Sequence, residues 1–180
     1  LLFLAYINDL PEQVSSSARL FADDCLLYRP ITSEHDCTTL QHDLDQLQEW
    51  ENKWLMSFNP DKCEVLRITN KRKHITQATY TIHGQQLHQA ETGKYLGATI
   101  SSKLTWHDHI STITKQANST RGFLQRNLRS APQPVKSQAY KTFVRPTLEY
   151  ASTVWDPHTK DLTNRIELLK QYSTKQPDGS

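Results

Sequence analysis

Two adjacent aspartates, Asp23 and Asp24, stand between apolar runs of strand length, Ala18–Ala22 and Cys25–Tyr28. Two such runs around a short connection make a β-hairpin. Asp-Asp is an unusual connection. It brings no glycine for a positive φ, and it sets like charges side by side among apolar neighbours. Such a pair repels itself, and at least one carboxyl is pushed toward its neutral form unless a cation sits beside it. Hard divalent cations favour carboxylate and phosphate oxygens. The stretch reads either as an acidic tip on a surface hairpin or as a pair of metal ligands.

At 180 residues the chain holds enough material for one good core or two small ones. It opens on Leu-Leu-Phe-Leu and not on Met, which reads as a piece of a longer protein. The apolar run Leu1–Ile7 has no basic flank and is followed at once by Asn8-Asp9. It is too short for a signal peptide or a membrane span, so it reads as a buried helix or strand, with no membrane partner. Cys25, Cys37 and Cys63 are scattered and form no Cys-x-x-Cys pair. That pattern argues for reduced thiols in an intracellular protein, without distinguishing nucleus from cytoplasm.

The formal net charge of +2 conceals an asymmetry. Residues 1–66 carry 4 Lys/Arg and 12 Asp/Glu, whereas residues 67–106 carry 6 and 1, and residues 107–150 carry 7 and 2. An acidic first third before a basic middle suits a metal site beside a polyanion-binding surface. The plainer alternative is charge segregated between solvated faces.

Ser33 and Asp36 form a capping-box-like start for a helix. Cys37, Leu40, Leu44, Leu47, Trp50 and Trp54 then draw one apolar stripe along it, with Asp43 and Glu51 assigned to the polar faces. Asn59-Pro60-Asp61 ends it. Residues 63–69 alternate as a strand, and residues 70–74 are a basic loop. His83-Gly84 connects a small hairpin, and Lys94–Ile100 reads as a strand with Gly97 inside it, a bulge or a close backbone approach. From His107 the pattern turns helical, with Ile110, Ile113, Ala117, Thr120, Leu124 and Leu128 inward. Ala139, Phe143 and Val144 face inward on the next helix, and Leu162, Ile166 and Leu169 suggest a last one. His107-x-His109 lacks a third ligand and reads as a helix start more readily than as zinc ligands.

Several motifs fall in one order. They are Tyr6-Ile7-Asn8-Asp9-Leu10-Pro11, Phe21-Ala22-Asp23-Asp24, and Trp50-x-x-x-Trp54-x-Met56-x-Phe58-Asn59-x-Asp61-Lys62-Cys63. Lys94-Tyr95-Leu96-Gly97 follows, then Lys103-Leu104-x-Trp106-x-x-His109-Ile110, then Tyr140, Phe143, Pro146, Tyr150, Trp155 and Pro157. In that order and spacing the chain resembles the reverse transcriptases of non-LTR (LINE-type) retrotransposons, of the jockey-like group, to about residue 170.

The resemblance implies an α+β chain. It would be a partial polymerase palm over residues 1–106, an antiparallel sheet packed on one long helix. A helical thumb over 107–172 and a disordered tail over 173–180 would follow. The implied activity is RNA-directed DNA polymerisation, the transfer of nucleotides to a primer 3′-hydroxyl with Mg²⁺ or Mn²⁺. Asp23 would be the main metal ligand, with Asp24 beside it, and Lys62 would neutralise or protonate the leaving pyrophosphate. Phe21, Tyr95, Leu96 and Gly97 would contact the primer or template. Lys115, Arg121, Arg126, Arg129 and Lys141 would line the duplex. The partners implied are an RNA template, a DNA primer, deoxynucleotide triphosphates and the amino-terminal half of the same polyprotein. The family's fingers, its Gln-Gly box and its first catalytic aspartate lie upstream of Leu1, so the chain alone is expected to be inactive. The alternative is a degenerate, non-catalytic remnant that binds RNA or RNA–DNA duplex through its basic helices.

Overall fold

A computed structural model describes residues 2–69, 76–157 and 159–171. The basic loop at 70–74 and the tail at 173–180 lie outside these residues. The chain divides into two compact units, Leu1–Ala90 and Glu91–Ser180.

The first unit runs α1 (Leu2–Ile7), a 3₁₀ turn (Leu10–Gln13), β1 (Ser17–Phe21), β2 (Asp24–Tyr28) and α2 (Glu34–Trp54). A second 3₁₀ turn (Pro60–Lys62), β3 (Glu64–Leu66), β4 (Thr81–Ile82), β5 (Gln85–Gln86) and β6 (His88–Ala90) complete it. The second unit holds β7 (Thr92–Tyr95), β8 (Ala98–Ser101), α3 (His107–Asn127), α4 (Gln133–Phe143), α5 (Arg145–Glu149), α6 (Ser152–Trp155) and α7 (Lys160–Gln171). Helices and strands are mixed, as an α+β chain requires. The sheet departs from the single antiparallel one expected. Among the described residues the strands pair only two by two, and the β3–β6 ladder is parallel. The β4–β5 hairpin lies between β3 and β6 in sequence, so the chain comes round to run β6 alongside β3.

Helix α2 organises the first unit. The Asp36 carboxylate accepts the Thr32 and Ser33 amides, each at 2.9 Å, and both their hydroxyls. These bonds, the Thr32 hydroxyl first, hold Asp36 well below the usual carboxylate range. The apolar stripe serves two clusters. Leu47 and Trp50 pack with Ile7, Leu10 and the inner side chains of β1 and β2. Leu40 and Leu44 pack against Tyr80, Ile82 and Leu87. Each large side chain buried this way contributes about 1.5–3 kcal/mol.

Two carboxylates assigned to the polar faces of α2 are instead buried. Asp43 and Glu51 are each 2% exposed. The spacing explains it: Asp43 lies three residues after Leu40 and four before Leu47, and Glu51 four after Leu47 and three before Trp54, which is inside the stripe. Asp43 accepts the Ser15 and Ser16 amides, each at 2.8 Å, and the Ser15 hydroxyl at 3.2 Å. Burial works to raise its pKa, but the hydrogen bonds from Ser16 and Ser15 prevail and hold it below the usual value. Glu51 accepts the Phe58 amide and meets His83 Nε2 at 3.0 Å, tying the β4–β5 turn to the helix. That turn has positive φ at both His83 (53°) and Gly84 (72°), a type I′ hairpin connection.

In the second unit, α3 spans two clusters. Ile110 and Ile113 pack with Trp155, Leu162 and Ile166, while Ala117 packs with Tyr140, Val144, Leu148 and Leu169. The Tyr140 hydroxyl donates to the Leu169 carbonyl at 2.8 Å. Phe143, expected inward, is 58% exposed. Tyr140 and Val144 share the inward face of α4, and Phe143 falls to one side of it.

Three outcomes test this arrangement. Asp43→Ala strands buried amides and is expected to cost about 2–3 kcal/mol in urea denaturation. Leu55 follows α2 with φ 54°, 93% exposed, while Met56 N–H bonds to the Glu51 carbonyl. Relief of left-handed strain outweighs glycine's backbone entropy there, so Leu55→Gly is expected to stabilise by about 0.5–1 kcal/mol. Asp36 and Asp43 have folded pKa values below the ordinary 3.8. The stability they contribute is therefore complete above that pH and lost as pH falls below it. An acid titration of unfolding free energy should show that loss, and Asp43→Asn should reduce it.

Candidate functional site

The β1–β2 ladder pairs Ser17 with Tyr28 and ends at Phe21 opposite Asp24. The two turn residues are therefore Ala22 and Asp23, not Asp23 and Asp24. This register leaves one carboxylate in the turn and takes the other into the strand, instead of crowding both in the turn. Among the turn residues Ala22 has positive φ (53°), the type II′ pattern in which glycine is usual. Holding alanine there costs about 1–2 kcal/mol, which the surrounding packing must oppose.

Alternation gives the hairpin two unlike faces. Ala18, Leu20, Cys25 and Leu27 face the helix side, with Ala18 buried and the other three in the α2 cluster. Burial, with the nearby Cys63 as the lesser cause, pushes the Cys25 thiol up to about 11, so it is no nucleophile. The other face carries Arg19, Phe21, Asp24, Leu26 and Tyr28, all exposed, Phe21 at 61%. Asp23 and Asp24 are both exposed, and no described side chain forms an ion pair with either. Their hard oxygens are the right donors for a divalent cation. Among the described residues no third His, Cys, Asp or Glu joins them as a ligand group. The pair fits part of a cation's shell, with water and phosphate oxygens suited to the rest. Lys62 ends the 3₁₀ turn after α2 and is exposed, its amide bonded to the Asn59 carbonyl at 3.0 Å.

The second unit carries the other residues singled out by sequence. Gly97 is not inside a strand. Tyr95 pairs with Ala98, and Leu96-Gly97 form the turn between β7 and β8 with φ of 47° and 81°, again type I′. Leucine and glycine both in left-handed conformation make a hairpin corner, where a continuous strand was expected. A Cβ on Gly97 would lie 3.1 Å from Tyr150 Cε1, and the Tyr150 hydroxyl donates to the Leu96 carbonyl at 3.0 Å. The close approach at Gly97 is thus to a side chain of this chain.

Lys115 and Arg126 are exposed on α3, Arg129 just beyond its end, and Lys141 on α4. Arg121 is half-buried and near Tyr140, whose hydroxyl burial pushes up against the opposing charge of Arg121. His107 is exposed, whereas His109 is 2% exposed. The His109 Nδ1 accepts the Thr99 amide at 3.2 Å, and its ring lies 5.2 Å from that of Trp155. Burial lowers its pKa, so it is a neutral structural link from β8 to α3.

Asp43 holds the start of β1 and Tyr150 holds the β7–β8 turn, and neither was singled out for this from sequence. Asp43 was detectable from its place within the apolar stripe. Tyr150 stands among the motif residues, but no sequence signal points to this role, because its contact spans fifty-four residues.

A model of the family described as reverse transcriptase (RNA-dependent DNA polymerase) matches residues 1–100. The chain is 30% identical over 166 residues to the RNA-directed DNA polymerase from mobile element jockey of Drosophila funebris, covering 89% of this chain and 18% of that protein. It is 28% identical over 155 residues to a probable RNA-directed DNA polymerase from transposon BS of Drosophila melanogaster, covering 83% and 17%. It is 29% identical over 180 residues to the corresponding protein of transposon X-element, covering 94% and 20%. The chain thus spans about a fifth of the length of these relatives. No solved structure matches it significantly. No described helix is long and apolar enough to cross a membrane. With a family model matching residues 1–100 of 180, and relatives aligned over most of the chain, this protein belongs to the reverse transcriptase family.

Proposed function

We propose that this chain is part of the RNA-directed DNA polymerase of a non-LTR retrotransposon. In that reading the first unit is the later portion of a palm, and the second begins with a primer-gripping turn and continues as a thumb. The observation that carries the reading is the β1–β2 hairpin. It presents two unengaged carboxylates at its tip while its inner face is locked into the core.

Asp23 and Asp24 would hold a divalent cation, Mg²⁺ or Mn²⁺, which when bound polarises the primer hydroxyl and offsets charge on the transferring phosphate. The pair offers ligands from one hairpin only. A two-cation site needs a further carboxylate from another strand, so polymerisation requires a longer protein. Phe21, on the same face as Asp24, offers an exposed ring to a nucleic-acid base or sugar. Lys62 would place a cation near the leaving pyrophosphate. Tyr95, Leu96 and Gly97 would meet the primer backbone. Lys115, Arg126, Arg129 and Lys141 present exposed cations for sequence-independent phosphate contact. Arg121, held near Tyr140, would contribute less. An RNA template, a DNA primer and deoxynucleotide triphosphates are the partners this chemistry requires.

Primer extension on an RNA template by a longer protein containing this chain provides the test. Asp23→Ala is expected to lower kcat at least about 10³-fold, and Lys62→Ala about 10²-fold. Wild-type rates in the Asp23→Ala protein would remove the catalytic role. A binding-only remnant gives a different result: salt-dependent hybrid binding indifferent to Asp23→Ala, and no extension by any longer form. In either case Lys115→Ala and Arg126→Ala should each flatten the salt dependence of hybrid binding by about one phosphate contact.

A further inference from the structure

Lys62 stands in a turn that is tied to two other elements of the first unit. Within the turn, the Asn59 side-chain oxygen accepts the Asp61 amide at 3.0 Å, and the Asn59 carbonyl accepts the Lys62 amide at 3.0 Å. Such local bonds fix the shape of a turn but not its place on the fold. Two further contacts fix its place. The Phe58 amide donates to Glu51, in the last turn of α2. Gln85, at the start of β5, donates its Nε2 to Asp61 Oδ1 at 2.7 Å. Asp61 is the residue before Lys62, and its contact with Gln85 crosses twenty-four residues of sequence.

The hairpin that carries Gln85 is itself bolted to α2. Gln41 bonds both backbone groups of Thr81, accepting the amide at 2.9 Å and donating to the carbonyl at 3.0 Å. Gln48 Oε1 accepts the His83 amide at 2.6 Å, and Glu51 meets His83 Nε2 at 3.0 Å. Gln41, Gln48 and Glu51 follow one another at steps of seven and three, along one side of the helix. Ile82 and Leu87 of the hairpin share a core cluster with Leu40 and Leu44. Glu51 therefore holds the Lys62 turn by two routes. One runs directly through Phe58, and the other through His83, Gly84 and Gln85 to Asp61. Among the described residues the Lys62 ammonium has no partner of its own, so its reach is set by where the turn stands.

We infer that Gln85 is a positioning residue for Lys62: its bond to Asp61 fixes the turn from which the Lys62 ammonium reaches the leaving pyrophosphate. The inference rests on the role proposed above for Lys62 and adds the residue and the hairpin that set its place. Gln85 touches no substrate in this arrangement and acts only through the turn. A long, flexible side chain gains from a fixed base, because drift at its Cα passes directly to the ammonium, and small misplacements of a reacting group are costly in rate. The Gln85–Asp61 bond is exposed, so its loss loosens the turn without opening the core.

A double-mutant cycle in the longer protein provides the test, read as single-turnover primer extension on an RNA template at saturating deoxynucleotide. Gln85→Ala removes an uncharged group, so it leaves the electrostatics around Lys62 unchanged. It is expected to lower the single-turnover rate about three- to tenfold, the loss that one exposed hydrogen bond supports, with nucleotide affinity unaltered. A thermal melt shows that the variant is folded. In a Lys62→Ala background the same substitution should cost nothing further, because a residue that acts through Lys62 has nothing left to position. A merely structural role would cost the same in both backgrounds. Equal loss in the two backgrounds, a wild-type rate in Gln85→Ala, or a loss in nucleotide affinity alone would overturn the inference, while a slow Lys62→Ala protein keeps the role of Lys62. A wild-type rate in Lys62→Ala overturns both.

Discussion

A buried carboxylate decides where the acidic hairpin stands. Asp43 lies on α2, and its partners are the amides and hydroxyl of Ser15 and Ser16, immediately before β1. A charge at 2% exposure is unfavourable unless donors surround it, and here backbone amides supply them. The consequence is positional. The start of β1 cannot slide along α2 without stranding both the charge and two amides. Because the hairpin's inner side chains pack on the same helix, its other end is fixed as well. The strained alanine at the tip persists within this frame, held by contacts on the strands rather than in the turn.

Much of this was legible in the chain. The capping pair Ser33 and Asp36, the period of the α2 stripe and the His83-Gly84 turn all act over a few residues. Local rules suffice for them. The Asp-Asp hairpin was legible as a hairpin, but its register was not, because Asp23-Asp24 and Ala22-Asp23 connections put the same residues on the inner face. Only the pairing of Phe21 with Asp24 distinguishes them.

What sequence missed has one physical origin. A polar residue in an apolar stripe is read as solvent-facing unless its partner is known, and the partners of Asp43 and Glu51 lie outside the helix. Gly97 failed similarly. Strand propensity on both sides suggested one continuous strand, while the two left-handed residues at its centre make a corner. Sheet extent was also overestimated, since alternation records which residues suit a pleated surface and not how many neighbours a strand finds.

The β1–β2 turn of the first unit and the β7–β8 turn of the second share a plan. Each is a two-residue connection with at least one non-glycine residue at positive φ, Ala22 in one and Leu96 in the other. Each presents exposed polar groups outward, carboxylates in one and backbone amides in the other. Each belongs to a hairpin held by a polar side chain whose own position is set by a core: Asp43 on α2 at the base of the first, Tyr150, bonded by Trp155, at the turn of the second. Strain at a tip is tolerable only when the base is over-determined, and a buried polar brace does this more selectively than apolar contact. Apolar packing accepts small slips, but a hydrogen bond to a backbone group fails within a fraction of an ångström. A turn that presents polar groups from a fixed backbone needs that intolerance. It places the demand for precision on residues remote from the motif, which is why the motif alone described the chemistry and not its support.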